Sequence, residues 1–246
     1  MTSFVKNTAG FYEINGLPAG IKAGCAGRAV NSIDYLKNHE GIRSAEKNIL
    51  GAATGLPEKD TLSLEQVHGC DILIVEEKPA APRAIYGTAD AMLTSLEEVC
   101  LVIRAADCVP VILADKKSRA VGAVHSGWKG TRLGICGAAA ALMKKRFGCA
   151  GDDLLACILP SISPYSYEVK EDVAQYFPEF TVRRNDRLFV DLWAAVTASL
   201  VAEGLPQENI FNCEICTLQA TDEFFSHRHG DTGRNLNYIF IPHHHF

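Results

Sequence analysis

Short apolar runs separated by polar turns dominate the centre of the chain. Residues 61–77, TLSLEQVHGCDILIVEE, predict two short strands around His68 and Gly69, because runs of β-branched residues favour strands. AMLTS, VCLVIRAA, VPVILAD and AVGAVHSG follow at short intervals. They predict four more strands, each bounded by polar residues or glycine. The centre of the chain is therefore expected to be dense in strands.

The pattern changes to a helical period after this centre. In GTRLGICGAAAALMKKRF apolar residues recur at three- and four-residue steps, which predicts an amphipathic helix with a basic last turn. A second helix is predicted after Asp191, a good N-cap, and before Gly204. LLACILPSI, NIFNCEI and NYIFI predict further strands. This mixed order predicts an α+β (mixed α/β) fold with layered sheets covered by helices. No linker or repeat divides the chain, so residues 1–246 are expected to form one domain.

Composition narrows the classes of function. The formal net charge of -5 and the pI near 5.9 argue against a nucleic-acid binder, which usually carries a basic face. No apolar stretch approaches the roughly 20 residues that span a bilayer, so no membrane insertion is expected. The nine cysteines show no disulfide framework, and the N-terminus lacks a signal-peptide pattern. We therefore expect reduced thiols and a cytoplasmic protein.

Three polar residues share one sequence context, the end of an apolar strand followed by a turn. They are His68 in LEQVHGCD, Cys108 in RAADCVPVIL and His125 in GAVHSGWKGT. A sheet could bring them to one rim, where two imidazoles and a thiolate would suit zinc and leave a fourth position open. Cys108 and His125 could equally be a nucleophile and its base, and either could be a core residue. Their separations of 40 and 17 positions do not decide among these alternatives.

A glycine-rich turn follows His125 and is predicted to open a helix. The free N–H groups of such a helix start, together with the cations Lys129 and Arg132, would form an anion pocket. The alternative is an ordinary turn with solvated cations. The spacing differs from that of a phosphate-binding P-loop.

Two further segments carry groups of reactive type. Cys213 and Cys216 form CEIC at the end of a predicted strand, without a second close pair; we interpret them as structural rather than as a redox or zinc motif. The loop TDEFFSHRHGDTGRN gathers His227, Arg228 and Arg234 among other polar groups. Such a loop suits a ligand or a solvated surface turn.

The order of LEQVHGCD, TADAMLTS, AADCVPVILAD, VGAVHSGWKGT, LPSISPYSYEV and CTLQATDEFFSHRHGDTGRN resembles the polyphenol oxidase (laccase) domain family, also described as purine nucleoside phosphorylases. The resemblance covers roughly residues 60 to 241. It implies a fold shared with the catalytic domains of certain toxin deamidases. It also implies one zinc bound by His68, Cys108 and His125, which would be the catalytic centre.

The activities implied by this resemblance are phosphorolysis of adenosine, inosine or methylthioadenosine, and deamination of adenosine. Zinc would lower the pKa of a bound water for attack on the purine. Phosphate would be held at the helix start by Lys129 and Arg132, with Arg228. Arg28 matches an arginine of the family that lines the pocket.

Two departures from the family pattern bear on substrate choice. Leu159 stands where the family usually has glycine, and Ala29 and Val30 follow Arg28 where the family has a glycine pair. The expected partners are purine nucleosides and phosphate, although a cell-wall precursor with a similar ring and anion is also compatible. The oligomeric state is not predicted.

Three alternative functions remain open at the level of sequence. The first is a hydrolase or deamidase that uses Cys108 and His125 without metal. The second is a copper-dependent phenol oxidase, which would need many more ligands than eight histidines readily supply. The third is a nucleoside-binding module without turnover.

Overall fold

The computed structural model describes residues 2–35, 42–83, 85–117 and 119–243. Its strands are β1 (Ser3–Lys6), β2 (Tyr12–Asn15), β3 (Lys22–Ala26), β4 (Thr61–Glu65), β5 (Ile72–Val75), β6 (Gly87–Thr88), β7 (Ala91–Thr94), β8 (Cys100–Ala105), β9 (Val109–Asp115), β10 (Val121–Ser126), β11 (Leu154–Ile158), β12 (Glu168–Val169), β13 (Thr181–Arg184), β14 (Arg187–Val190), β15 (Ile210–Asn212) and β16 (Asn235–Phe240). Its α-helices are α1 (Ile42–Thr54), α2 (Trp128–Arg132), α3 (Ile135–Phe147), α4 (Glu171–Ala174) and α5 (Leu192–Ala202). Short 3₁₀ turns occupy Glu58–Asp60, Gly151–Asp153, Pro178–Phe180 and Gln207–Asn209.

Two large sheets carry most of the strands. A seven-stranded sheet has the order β1-β2-β3-β16-β8-β4-β6, and a six-stranded sheet has the order β15-β11-β9-β10-β7-β5. A small sheet, β12-β14-β13, adds a hairpin at the side. The mixed fold with layered sheets covered by helices, predicted from the sequence, is confirmed.

Three apolar interiors define the layers. The first contains side chains from both large sheets, such as Leu101 and Ile112, so the two sheets pack against each other there. The second lies between the outer face of the six-stranded sheet and helices α3 and α5, for example Met143 and Val196. The third lies between the seven-stranded sheet and α1, where Leu50 is fully buried. The order of layers is therefore helix, sheet, sheet, helices.

The local patterns that predicted the two long helices are largely correct. The Asp191 side chain accepts a hydrogen bond from the Ala194 N–H at 2.8 Å and so caps α5. The helix predicted from residue 130 is broken in two, however, because Gly134 adopts a positive φ of 76° between α2 and α3. Leu133, one of the apolar residues whose spacing predicted the helix, is 57% exposed beside this break.

Two crossings between the sheets position the site described below. Strands β4 and β8 are parallel neighbours in the seven-stranded sheet, so both end at the same edge. The chain then passes from β4 to β5, and from β8 to β9, in each case into the six-stranded sheet. The two crossing turns therefore lie close together at one rim of the sandwich.

Candidate metal centre and active site

The three predicted ligand residues meet at this rim. His68 lies on the turn between β4 and β5, and Cys108 lies on the turn between β8 and β9. His125 is on β10, where the antiparallel register places it opposite Pro110 at the start of β9. Residues that are 40 and 17 positions apart in the sequence are thus neighbours because of strand order.

Their donor atoms form a compact group that could hold a metal ion. One donor atom from each of His68, Cys108 and His125 lies within 4.8 Å of the others. The two imidazole rings meet edge to face, with centroids 4.8 Å apart. His125 is only 3% exposed, Cys108 is half-buried and His68 is exposed, so the group is closed on one side and open on the other. Among the described residues no other group of three or more histidine, cysteine or carboxylate side chains has this arrangement.

A buried carboxylate, Asp90, organises two of these ligands. It has no solvent exposure, and its Oδ1 lies 2.8 Å from Nδ1 of His125. It also accepts backbone N–H bonds from Val67, His68 and Gly69 at 3.2, 2.9 and 2.6 Å. A carboxylate on Nδ1 leaves Nε2 of His125 as the nitrogen available to a metal, which is how metal-bound histidines are commonly oriented. The donor set and this outer contact both fit a divalent metal.

The charges in this group are strongly coupled. Burial raises the pKa of Cys108, but His125 and His68 outweigh that effect and lower the pKa to about 6. Burial lowers the pKa of His125, but Cys108 and Asp90 outweigh it and raise the pKa to about 9. Burial raises the pKa of Asp90, whereas the hydrogen bonds from His125 and from the Gly69 N–H hold it below its usual value. Without metal, the thiolate and the imidazolium therefore stabilise each other near neutral pH.

Backbone geometry brings the ligands close together. His68 has a positive φ of 60°, a conformation that the three N–H bonds to Asp90 hold in place. Gly127 follows the His125 strand, and a Cβ there would lie 2.9 Å from Cδ2 of His68 and 3.1 Å from Sγ of Cys108. Position 127 is therefore a glycine because the ligand side chains occupy the space beside it.

A second carboxylate, Asp107, joins the Cys108 turn to distant loops. Its Oδ1 accepts the Thr217 hydroxyl and its Oδ2 accepts the Arg228 N–H, both at 2.7 Å. Its backbone oxygen accepts the Ile162 N–H at 3.0 Å. These bonds hold the loop at residues 226–234 against the turn that carries Cys108.

Two cavities meet at the ligand group, with His68 and Cys108 as part of their common wall. One, of about 380 Å³, is lined by Gln66, His68, Arg104, Ala105, Ala106, Cys108, His125, His227 and Arg234. The other, of about 250 Å³, is lined by His68, Ala106, Asp107, Cys108, Trp128, Ile162, Tyr167, Leu192, His227 and Arg228. We call them the basic cavity and the aromatic cavity. His227 lines both, as do two of the three ligand residues.

The four cations predicted to bind substrate lie in different places. Arg228 lines the aromatic cavity, with its guanidinium over the ring of Tyr167 at 5.2 Å. Lys129 and Arg132 are exposed and line neither cavity; the Arg132 guanidinium lies 3.5 Å from the ring centroid of Tyr176.

Arg28 lines a third cavity, away from the ligand group. Its Nη2 bonds Asp231 at 2.7 Å, and its guanidinium lies over the ring of Phe225 at 4.4 Å. Leu159, the departure from the family pattern, has no exposure and packs in the interior between the two sheets.

The CEIC segment is separate from this centre. Cys213 follows β15, and the Cys216 sulfur accepts the Ser163 N–H at 3.3 Å. All nine cysteines are free. These contacts agree with the structural interpretation of the motif.

Sequence reasoning did not identify Asp90, Asp107 or Arg104 as part of the site. Asp90 directly precedes the buried strand β7, whereas the ligands were recognised at the ends of strands, so the pattern used for the ligands did not single it out. The roles of Asp107 and Arg104 depend on contacts with residues far away in the sequence. No local pattern could have indicated them.

Comparisons with known proteins agree with this architecture. The chain is 33% identical to a purine nucleoside phosphorylase of Bacteroides thetaiotaomicron over 219 residues, which cover 82% of this chain and 80% of that protein. It is 28% identical to the adenosine deaminase RL5 of an unknown prokaryotic organism, with 92% and 91% covered. The crystal structure of the hypothetical protein YfiH of Bacillus licheniformis superposes with a TM-score of 0.87 at 24% identity, covering 97% of this chain and 98% of that one.

The number of metal-ligand groups in the structure bears on whether the protein could be a multicopper oxidase. A multicopper oxidase needs several copper sites, whereas the described residues contain one three-residue group. None of the helices described is long and apolar enough to cross a membrane. A family model matches residues 30–242, so the chain belongs to the family described as multi-copper polyphenol oxidoreductase laccase.

Proposed function

We propose that this protein is a zinc-dependent enzyme of purine nucleosides, which catalyses phosphorolysis of adenosine, inosine or methylthioadenosine and deamination of adenosine. The observation that carries this proposal is the convergence of His68, Cys108 and His125 in one group of donor atoms, of which His68 and Cys108 line both cavities. The names of the relatives, purine nucleoside phosphorylase and adenosine deaminase, support the choice of substrate.

The donor set favours zinc over copper. Two histidines and a cysteine with an open position match catalytic zinc sites. Copper electron-transfer sites of the same set usually add a weak axial methionine. Neither of the two methionines that the structure describes lines a cavity; Met92 and Met143 are both buried in the apolar interiors.

Different residues of the site would orient the metal, bind the purine and transfer a proton. Bound zinc would supply a Lewis acid at the shared wall. Asp90 holds His125 through its Nδ1, so the coordinating nitrogen keeps a fixed direction. Tyr167 and Trp128 line the aromatic cavity and give it an apolar aromatic surface suited to a purine, and Arg228 adds a hydrogen-bond donor there. His227, which lines both cavities, is placed to give or take a proton.

Both reactions balance with these groups. In deamination a water oxygen bonds to purine C6 and the C6–N6 bond breaks. One proton of the water goes to the departing amine, which leaves as ammonia, and the other goes to N1 of the product, inosine. In phosphorolysis a phosphate oxygen bonds to ribose C1′ while the C1′–N9 bond breaks. The purine keeps that electron pair and takes a proton, for which His227 is the available donor.

Product analysis tests the proposal directly. Zinc-loaded protein is incubated with adenosine, inosine or methylthioadenosine, with and without phosphate, and the products are separated chromatographically. We expect free base with ribose 1-phosphate, or its methylthio counterpart, only when phosphate is present, and ammonia from adenosine without it. Absence of turnover with all three nucleosides in the zinc-loaded protein would reject the proposal.

A metal-free cysteine hydrolase is the second candidate, because one observation favours it. Cys108, His125 and Asp90 form a chain of nucleophile, base and orienting carboxylate, and His125 lowers the pKa of the thiol. Iodoacetamide separates the two functions. The zinc enzyme should protect Cys108 from alkylation when loaded and lose activity in His68→Ala, whereas the hydrolase should be labelled rapidly and tolerate that substitution.

The other two alternatives have simple tests. A copper oxidase requires copper-dependent oxidation of a phenol. If the protein is a binding module without turnover, the parent protein has no activity and Cys108→Ala therefore has none to lose.

The free state of all nine thiols supports the proposal that the enzyme works in the reducing cytoplasm.

A further inference from the structure

The two cavities beside the ligand group differ in chemistry. The basic cavity is lined by two arginines, three histidines and Gln66, and no carboxylate of the described residues lines it. The aromatic cavity is lined by Trp128 and Tyr167 with Ile162 and Leu192, and it contains the carboxylate of Asp107. An anion would therefore be favoured on the first side and a flat apolar ring on the second.

One of the two arginines in the basic cavity is already committed to other groups. Arg104 is 9% exposed, and its Nη1 lies 3.4 Å from a Glu46 carboxylate oxygen. Its Nη2 donates to the Leu64 carbonyl, and its backbone N–H and C=O both bond the side-chain amide of Gln66. The charge of Arg104 is thus balanced within the protein.

Arg234 retains free donors. Its Nη1 donates to the carbonyls of Gly233 and Thr232, at 2.7 and 3.4 Å. Its Nε and Nη2 make no hydrogen bond to any described residue, and no carboxylate of those residues pairs with it. The adjacent strand β16 begins at Asn235, opposite Ala105 in the register with β8, which fixes the backbone of Arg234 beside the Cys108 turn.

From these contacts we infer that Arg234 binds inorganic phosphate in the basic cavity, with His227 as a second donor, while the purine occupies the aromatic cavity. The inference rests on the proposed function, since it assigns its two substrates to opposite sides of the ligand group. It replaces the placement expected from the sequence, in which Lys129 and Arg132 hold phosphate at the start of α2. Those two side chains are exposed and line neither cavity.

The test measures phosphate binding and kinetics in matched variants. Arg234→Gln removes the charge and Arg234→Lys retains it, while Arg146→Gln removes an exposed cation at the end of α3 as the control. Dissociation constants for inorganic phosphate are measured calorimetrically, without nucleoside, on zinc-loaded protein. KM values for phosphate and for inosine are then measured by phosphorolysis.

We expect Arg234→Gln to weaken phosphate binding and to raise the KM for phosphate by about tenfold or more, as loss of a charge-assisted hydrogen bond implies. The KM for inosine should rise much less. Arg234→Lys should recover part of the affinity, and Arg146→Gln should bind phosphate like the parent protein. Circular dichroism and zinc content identify any variant that fails to fold.

Two results would overturn the inference. One is unchanged phosphate affinity in folded Arg234→Gln. The other is a loss of affinity in Arg132→Gln that Arg234→Gln does not show. Failure of the proposed function can be distinguished from failure of this inference. In that case the parent protein would turn over no nucleoside, but calorimetry would still show whether phosphate binding depends on Arg234.

Discussion

The two halves of the site are built in different ways. In the half that carries the metal ligands, which we call the ligand half, Asp90, His125 and His68 are joined by the registers of neighbouring strands and a tight turn. In the other half, which we call the loop half, Asp107 gathers Thr217 and Arg228, which lie 110 and 121 positions away. The ligand half fixes the direction of the metal ligands, and the loop half shapes the cavities. We therefore expect damage to the ligand half to remove metal, and damage to the loop half to impair substrate binding.

Removal of the Asp90 carboxylate should have the largest effect. Asp90→Ala leaves His125 without its partner and three N–H groups of the His68 turn without an acceptor. We expect the free energy of unfolding to fall by about 3–5 kcal/mol, as for other broken buried pairs. Metal affinity should fall about 10–100-fold. Denaturant unfolding and competition with a chelator measure the two quantities.

Asp90→Asn provides the matched control for this prediction. The amide keeps the shape and one acceptor oxygen, so the fold should survive with a smaller loss of stability while metal affinity still falls. Equal metal affinity in Asp90→Asn and the parent would show that Asp90 is only a structural residue.

A methyl group at position 127 should have the next largest effect. Gly127→Ala places its Cβ 2.9 Å from His68 Cδ2, which should cost about 1–3 kcal/mol of stability through overpacking and reduce bound metal. Gly51→Ala is the control: it lies within α1, and its Cβ would come no closer than 3.6 Å to the Leu56 carbonyl. That control should be neutral or slightly stabilising. Full metal content in Gly127→Ala would contradict the account.

Asp107→Asn tests the loop half of the site, in which Asp107 joins the Cys108 turn to distant loops. Asparagine tolerates the positive φ of 82° at this position. Its single amide oxygen can accept only one of the two hydrogen bonds from the Thr217 hydroxyl and the Arg228 N–H, and its NH₂ group would face the other donor. We expect about 1–3 kcal/mol of destabilisation, mainly as loosening of the loop at residues 226–234. Zinc content should be retained while the KM for nucleoside rises. Thr217→Val, which replaces the hydroxyl with a methyl group, should show a smaller change. Loss of zinc in Asp107→Asn would contradict the assignment of metal binding to the ligand half alone.

The smallest effect concerns pH in the metal-free protein. The pKa of Cys108 is lowered to about 6, so its stabilising contribution is present above its unfolded value and is lost as pH falls through about 6. The pKa of His125 is raised to about 9, so its contribution is present below its unfolded value and is lost as pH rises through about 9. Between these two values the contribution of Cys108 grows with pH while that of His125 declines, so the free energy of unfolding of the metal-free parent should be almost constant across the range. In Cys108→Ser only His125 titrates, paired with Asp90, so the free energy of unfolding of that variant should fall as pH rises.

Features that depend on local patterns could be predicted from the sequence, whereas features that depend on long-range strand pairing could not. The strand ends carrying His68, Cys108 and His125 are visible as apolar runs that stop at a polar residue, and the helices were visible from their period and from the cap at Asp191. The position of Arg234 beside the ligands depends on the pairing of β16 with β8, which brings together residues more than a hundred positions apart. Strands β1 to β3 were not predicted, since each is only four or five residues long. Helix α1 was also not predicted, although its apolar residues recur at helical spacing. Lys129 and Arg132 show that a cation near a helix start need not face a cavity.

The decisive measurement is zinc content combined with turnover. Elemental analysis of the purified parent protein, His68→Ala and Cys108→Ala is combined with assays of nucleoside phosphorolysis and deamination on the same samples, before and after chelation. We expect one zinc per chain in the parent, and loss of zinc and of both activities in the two variants and after chelation. Metal-free parent protein that retains full turnover would contradict the zinc mechanism and would make Cys108 and His125 a nucleophile and its base.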